Sequence, residues 1–121
     1  MYHRFDENKY PSTNIRMDIF KKQIDLIKMY ELQFYNPINF EKEFDAPKNN
    51  KKILITIDDA FSSFYNKAWP YLKENKIPFI LFVSTEPIGK YGYMNWDQIK
   101  EVEKEEFAFI GNHSHSHEYL I

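Results

Sequence analysis

Three short apolar runs, separated by segments with helical periodicity, most constrain what this chain can fold into. The runs are Ile53–Ile57, Ile77–Val83 and Phe107–Ile110. The first is continuously apolar rather than alternating, which is typical of a strand covered on both faces of a parallel sheet. Helices are predicted over Ser62–Asn75, with a kink near Pro70, and from an Asn95 cap to about Glu105. The β-α-β-α-β order predicts an α/β fold of parallel strands with right-handed helical crossovers.

The first fifty residues add shorter elements. Asn14 is predicted to cap a helix over Ile15–Glu31. The segment "YHRF" at the start of the chain is a candidate fourth strand, and "LQFY" is a candidate short strand. "NFEKEF" predicts a helical turn, and the composition of "DAPKNNKK" predicts a loop.

Composition limits the classes of function. A chain of 121 residues has room for one domain, and 43% hydrophobic residues are enough for a core. The net charge of −2, with no basic cluster, argues against a nucleic-acid partner. The absence of cysteine excludes disulfides and thiolate zinc sites. No apolar run is long enough for a membrane span and no signal peptide is visible, so we expect a soluble chain, cytoplasmic by default.

Two groups of polar residues follow strands and carry the chemistry. Asp58 and Asp59 come directly after the first apolar run, and His113, His115 and His117 follow the third. Because the carboxyl ends of parallel strands meet at one edge of the sheet, both groups are expected there. If the backbone turns helical at His113, then His113 and His117 lie on one face, where two imidazoles and a strand-end carboxylate can bind one metal ion.

Simpler interpretations remain open for each group. Asp59 could merely cap the following helix. Three alternate histidines also fit an extended strand, on which all three would share one face. Against the strand, Gly111 and Asn112 mark a turn directly after the third apolar run. In the metal-site interpretation, His115 points elsewhere and is not a ligand.

The quoted motifs resemble those of the polysaccharide deacetylases, carbohydrate esterase family four. "TIDDA" is similar to their Thr-Phe-Asp-Asp-Gly motif and "HSHSH" to their His-Ser/Thr-x-x-His motif, while "IPFILFVST" and "MNWDQIKE" resemble segments between the two. The resemblance implies that Asp58 is a general base and that Asp59, His113 and His117 bind a divalent metal, most simply zinc. "YHRF" is similar to the opening of the poly-N-acetylglucosamine deacetylase branch, whose motif order is circularly permuted. It implies that His3 is the general acid.

The resemblance also implies a fold, a substrate and the part of the family's domain that this chain represents. The fold would be part of a distorted (β/α) barrel, and the activity would be removal of N-acetyl groups from an N-acetylglucosamine-containing glycan. Residues 1–121 would form one deacetylase domain, in its N-terminal portion only, since the chain ends at Ile121 before the family's Arg-containing segment. Ala60 replaces the motif glycine, which would strain a turn that needs a positive φ.

Two other hypotheses follow from these departures. The chain could be an inactive or truncated deacetylase-like domain that binds metal or carbohydrate without turnover. It could also be an α/β interaction module whose histidines are incidental. Because the later strands of a barrel would be missing, the 121 residues alone are expected to associate or fold loosely, with little activity.

Overall fold

The computed structural model of the protein describes residues 1–43 and 51–118, and every strand pair within them is parallel. The strands are β1 (Arg4–Phe5), β2 (Asn14–Ile15), β3 (Gln33–Phe34), β4 (Lys52–Ile53), β5 (Ile55–Asp58), β6 (Phe79–Val83) and β7 (Ala108–Asn112). The helices are α1 (Met17–Met29), α2 (Phe40–Glu43), α3 (Trp69–Glu74) and α4 (Trp96–Glu103). The predicted α/β class with helical crossovers is therefore confirmed.

The strands form one central sheet and two short pairs. The central sheet has the order β5-β6-β7, while β1 pairs with β2 and β3 pairs with β4. Tyr2 extends the central sheet by a parallel bridge to Ile57, so part of the predicted "YHRF" strand lies beside β5. Within residues 1–43 and 51–118 these strands do not close into a barrel, and that part of the prediction is not confirmed here.

The predicted strand Ile53–Ile57 is two strands with different partners. Ile53 pairs with Phe34 of the predicted "LQFY" strand, whereas Ile55 pairs with Phe79 of the central sheet. Leu54, between them, is 39% exposed. The single apolar run therefore crosses from one sheet to another, a change of partner that periodicity does not reveal.

The helix predicted over Ile15–Glu31 begins and ends two residues inside those limits, and its cap is not Asn14. The Oδ1 atom of Asn14 instead accepts a hydrogen bond of 2.9 Å from the backbone N–H of Glu7. The free N–H of Met17 donates to Oδ1 of Asp6 at 2.8 Å. A residue distant in sequence thus satisfies the helix N-terminus, because β1 and β2 bring Asp6 beside it.

The helical segment after β5 is irregular before Pro70, as predicted. Residues Phe64–Ala68 form a short π-helix, and α3 follows directly with Pro70 in its first turn. Proline lacks the N–H needed inside a helix and is tolerated in a first turn. The N–H of Trp69 reaches back to the carbonyl of Phe64, so the backbone groups remain paired across the irregularity.

The third strand is longer than predicted. β7 continues through Gly111 and Asn112, where the sequence predicted a turn, and Gly111 pairs with Phe82. A Cβ atom at Gly111 would lie 2.5 Å from the ring of Phe82. The glycine is therefore required by close packing across two strands rather than by a turn.

The core lies between one face of the central sheet and the helices. Fully buried side chains on this side include Ile57 and Leu81 of the sheet, Phe20 of α1 and Val102 of α4. The opposite face carries Ile80 and Phe82, which are half-buried, and Phe109, which is 47% exposed. This second face is apolar without an equivalent cover in the described part of the chain.

Two predicted features lie wholly or partly outside the described residues. The "NFEKEF" turn is confirmed as far as Glu43, where α2 ends. Most of the predicted loop "DAPKNNKK" falls on residues 44–50, outside the described ranges. Among the helices of residues 1–43 and 51–118, none is both long and apolar enough to cross a bilayer.

The capping box predicted at α4 is present and should contribute measurably to stability. The Asn95 side chain accepts from the N–H of Gln98, and the Gln98 side chain accepts from the N–H of Asn95, both at 2.9 Å. Asn95→Ala should lower the free energy of unfolding by about 1 kcal/mol, measured by urea denaturation. Lys100→Ala, on the exposed side of the same helix, is the matched control. Equal effects in the two variants would contradict a role for the cap.

Candidate metal and catalytic site

Asp58 and Asp59 occupy a sharp turn at the carboxyl end of β5. Asp58 is the last residue of the strand and is buried, with 7% of its surface exposed. Asp59 has φ = 72° and donates its N–H to the carbonyl of Phe82 at 3.0 Å. The two neighbouring carboxylates face different histidines, His3 for Asp58 and the pair His113 and His117 for Asp59.

Ala60 also adopts a left-handed conformation, with φ = 52°, and is fully buried. For a non-glycine residue this conformation costs about 1–2 kcal/mol, so the strain expected from the missing glycine is present. Two backbone hydrogen bonds of 2.9 Å hold the turn: Met94 donates to Ala60, and Ser62 donates to Gly92. The loop after β6 therefore supports the turn that carries the carboxylates.

The segment from His113 to His117 is a turn and not a helix. The helical backbone assumed for the metal site in the sequence analysis is therefore wrong. The N–H of His117 donates to Oγ of Ser114 at 3.1 Å, and the N–H of Ser114 donates to Oδ1 of Asn112 at 2.7 Å. Ser114 and His117 both have positive φ values, of 67° and 56°. The turn still brings His113 and His117 together, through backbone reversal rather than through helical periodicity.

A serine that the sequence analysis did not single out fixes this segment. Ser84 is 1% exposed, and its hydroxyl donates to the carbonyl of His113 at 2.8 Å. The N–H of His113 donates to the carbonyl of Val83 at 3.0 Å. The signal for Ser84 was a polar residue directly at the end of the apolar strand β6.

Asp59, His113 and His117 form a compact group of possible metal ligands. The two Nε2 atoms are 2.9 Å apart, and they lie 3.5 Å (His113) and 3.4 Å (His117) from Oδ1 of Asp59. A tetrahedral zinc ion with bonds of about 2.0–2.2 Å places its ligand atoms roughly 3.4 Å apart. The three side chains thus fit a divalent ion with only small adjustments.

His115 lies outside this group. Its Nδ1 atom is 2.8 Å from Oγ1 of Thr85, and its carbonyl accepts from the N–H of Glu86 at 2.9 Å. The alternative in which three alternate histidines share one face of a strand is therefore wrong for this segment.

His3 is brought to Asp58 by backbone pairing at the start of the chain. The N–H of Tyr2 donates to the carbonyl of Thr56, and the N–H of Asp58 donates to the carbonyl of Tyr2, both at 2.8 Å. Nε2 of His3 then lies 3.8 Å from Oδ2 of Asp58. The hydroxyl of Tyr2 donates to Gln23 at 2.7 Å, and burial raises the pKa of this phenol. Residues 2 and 3 are held in place rather than frayed.

The other carboxylate oxygen of Asp58 is unusual. Oδ1 is buried and makes no hydrogen bond to any residue in the described ranges 1–43 and 51–118. A buried acceptor without a partner costs about 1–3 kcal/mol, and such groups are concentrated at functional sites. The atom therefore keeps its capacity to accept a hydrogen bond, on the residue directly before Asp59.

Residues 45–121 match the family described as polysaccharide deacetylase, over more than half of the chain and across both motifs. The chain belongs to the polysaccharide deacetylase family. The resemblance noted from its motifs is thereby confirmed.

Two curated relatives are poly-β-1,6-N-acetyl-D-glucosamine N-deacetylases from staphylococci. The Staphylococcus aureus (strain MSSA476) protein is 30% identical over 95 residues, which cover 76% of this chain and 32% of that protein. The Staphylococcus epidermidis protein is 29% identical over 103 residues, or 82% of this chain and 36% of that protein. The chain thus spans about a third of the length of these deacetylases.

Solved structures of deacetylases share the fold. IcaB from Ammonifex degensii superposes with a TM-score of 0.82 at 30% identity, over 93% of this chain and 50% of that one. A de-N-acetylase from Aggregatibacter actinomycetemcomitans gives a TM-score of 0.76 at 18% identity, over 93% and 52% of the two chains, which supports the fold alone.

Proposed function

We propose that this chain is part of a metal-dependent hydrolase that removes N-acetyl groups from an N-acetylglucosamine-containing glycan. The observation that carries the proposal is the group Asp59, His113 and His117, in a chain of the polysaccharide deacetylase family. Asp58, the residue before Asp59, adds a buried carboxylate oxygen that has no hydrogen-bond partner among the described residues. The staphylococcal relatives suggest a poly-β-1,6-linked polymer as the substrate.

In this proposal Asp59, His113 and His117 hold a divalent ion, most simply zinc. Two imidazoles and one carboxylate are a donor set that suits zinc and leaves further positions open. The ion, when bound, would polarise the acetamide carbonyl and make a water molecule more acidic. All three side chains are partly exposed, so a ligand can reach them from solvent.

Asp58 and His3 would move the protons. Asp58 accepts a proton from water as the water oxygen attacks the acetamide carbon. His3 then donates a proton to the sugar nitrogen as the C–N bond breaks, which releases acetate and a free amine. The distance of 3.8 Å between Nε2 of His3 and Oδ2 of Asp58 supports the proposal that the two residues act on the same substrate group.

We further propose that residues 1–121 are the N-terminal portion of a barrel-type deacetylase domain. The parallel strands would form one side of the barrel, and the exposed apolar face with Phe82 and Phe109 would face its interior. The likeness to IcaB over half of that chain supports this arrangement.

The same exposed face favours a second candidate function, binding without turnover. If part of the apolar face of the described sheet is uncovered, metal and glycan can still bind while the side chains that react are poorly aligned. Misplacement of a reacting side chain by about 1 Å can lower the rate on the order of 100-fold.

Acetate release separates the two candidates. We expect the zinc-loaded protein to release acetate slowly from a β-1,6-linked N-acetylglucosamine pentamer, and we expect a chelator to abolish the release, because Asp58 alone is too weak a base to activate free water. Acetate is measured by a coupled assay over hours, with zinc content measured in parallel. One zinc per chain and glycan binding with no acetate would contradict the hydrolase and favour binding without turnover.

A further inference from the structure

The segment that carries His3 contacts the carboxylate turn at two points. Nε2 of His3 lies 3.8 Å from Oδ2 of Asp58, where β5 ends and the turn begins. The guanidinium carbon of Arg4 lies 3.5 Å from the ring centroid of Phe61, the residue directly after Ala60. Two consecutive residues of the first segment therefore contact the two ends of this turn.

The first of these contacts does not hold the imidazole by itself. A separation of 3.8 Å between nitrogen and oxygen is longer than a hydrogen bond, which requires about 2.7–3.2 Å. The side chain of His3 is also 23% exposed, so core packing does not enclose it. The place of the imidazole beside Asp58 thus depends on how its backbone segment is attached to the turn.

The backbone of this segment changes partner at His3. Tyr2 pairs with Ile57 of β5, whereas Arg4 pairs with Asn14 of β2, and the N–H of Arg4 donates to the carbonyl of Thr13 at 3.0 Å. Strand pairing at Arg4 therefore fixes the segment to β2 and not to β5. The side chain of Arg4 links the same residue back to the turn after β5.

Three groups hold the guanidinium of Arg4. Besides the ring of Phe61, the ring centroid of Tyr10 lies 4.5 Å away, and Nη1 donates to Oε2 of Glu7 at 2.9 Å. A planar cation stacks on aromatic rings, and the attraction is stronger where water is excluded. The Arg4 side chain is only 17% exposed, so its stack on Phe61 is largely shielded from solvent.

The ring that Arg4 contacts is itself fixed to the turn. Phe61 is 5% exposed, and its backbone forms an antiparallel bridge with Tyr93. The rings of these two residues pack with centroids 4.9 Å apart. A side chain held in this way transmits the position of the turn to Arg4, and through Arg4 to the residue before it.

We propose that Arg4 is a positioning residue, whose stack on Phe61 sets the separation between the imidazole of His3 and the carboxylate of Asp58. The inference rests on the proposed function for the roles of those two residues. Arg4 itself touches no reacting atom in this scheme, and its charge is paired with Glu7. It acts on the rate through His3.

The kinetic test replaces the planar cation by an unbranched apolar side chain. Arg4→Met should lower kcat for acetate release about tenfold, because a misplaced proton donor slows the reaction, while KM stays within about threefold. Arg16→Met is the matched control, since Arg16 is 71% exposed and pairs with Asp18 at 2.7 Å. It should change kcat less than about twofold. A raised KM with unchanged kcat in Arg4→Met would mean substrate binding and would overturn the proposal.

A double-mutant cycle tests whether Arg4 acts through His3. In a His3→Ala background, Arg4→Met should lower kcat less than about twofold, because the imidazole that it positions is already absent. A tenfold loss in both backgrounds would show a general structural effect and would overturn the positioning role.

An NMR measurement on the metal-free protein needs no turnover. The nuclear Overhauser contact between the ring protons of His3 and the Cβ protons of Asp58 should be present in the wild type and in Arg16→Met. It should be at least about threefold weaker in Arg4→Met, and intermediate in Arg4→Lys, which keeps the cation without its planar face. Arg4→Lys alone decides the point if Arg4→Met does not fold.

The NMR result separates this inference from the proposed hydrolase. A contact of wild-type intensity in the Arg4 variants, or no contact in the wild type, would overturn the positioning role even if acetate is released. A contact that weakens only in the Arg4 variants, in a protein that releases no acetate, would support the positioning role while the hydrolase fails.

Discussion

Asp58→Asn should lower acetate release by about 100-fold or more while zinc affinity stays within about threefold of wild type. The amide keeps the shape of the side chain but cannot accept the proton from water. The buried Oδ1 atom of Asp58 makes no hydrogen bond within the described residues, so the substitution breaks few contacts. Zinc affinity is measured by competition with a chromogenic chelator, and turnover is measured as acetate released.

Asp59→Asn is the matched variant on the next residue. It removes a charged ligand atom from the group with His113 and His117, so it should weaken zinc binding first and turnover as a consequence. Similar zinc affinities in the two variants would show that the base and the ligand are assigned to the wrong carboxylates.

His117→Ala should abolish stoichiometric zinc binding, with affinity lower by at least about 100-fold. The variant leaves one imidazole and one carboxylate, and two protein ligands rarely retain zinc. His117 is the most exposed of the three proposed ligands, with 57% of its side chain accessible, so its loss should not disturb the core. Zinc per chain after dialysis is measured by mass spectrometry, and the free energy of unfolding of the metal-free variant is measured as a check.

His115→Ala is the control for that experiment. It removes a histidine two residues away whose Nδ1 atom contacts Thr85 and not the ligand group. Zinc binding should remain within about threefold of wild type, since only a hydrogen bond that orients the turn is lost. If both variants lose zinc equally, the ligand set is different from the one proposed.

The core strands and the capping box could be predicted from sequence because their signals are local. Continuous apolar runs correctly located β5, β6 and most of β7, and the spacing of Asn95 and Gln98 correctly located the start of α4. The proximity of Asp59 to His113 and His117 could be predicted from one rule, that the carboxyl ends of parallel strands lie at the same edge of the sheet. That rule needs no knowledge of side-chain conformation.

The features that sequence analysis missed depend on partners distant in the chain. Asp6, not Asn14, caps α1, because β1 and β2 bring Asp6 close. Gly111 continues a strand because the ring of Phe82 occupies the space of its Cβ atom. The histidine turn is stabilised by the side chains of Asn112 and Ser114, hydrogen bonds that compete with helix formation. Periodicity contains no information about any of these contacts.

The position of His3 depends on the register in which Tyr2 pairs with Ile57 of β5. Backbone hydrogen bonds are available at every residue, so a slip by one position would keep similar bonds and present Tyr2 or Arg4 to Asp58 instead. In either case the imidazole that we propose as the proton donor would no longer face Asp58.

A core residue opposes that slip. Phe5 is fully buried, and its ring packs against Phe20 and Phe64 at centroid distances of 5.2 and 6.2 Å. Moving the segment by one residue would withdraw this ring from the core, at a cost of about 2–3 kcal/mol for the lost burial alone. The burial of Phe5 in β1 would thus determine which side chain faces Asp58 at the end of β5, and with it the residue that we propose as the proton donor.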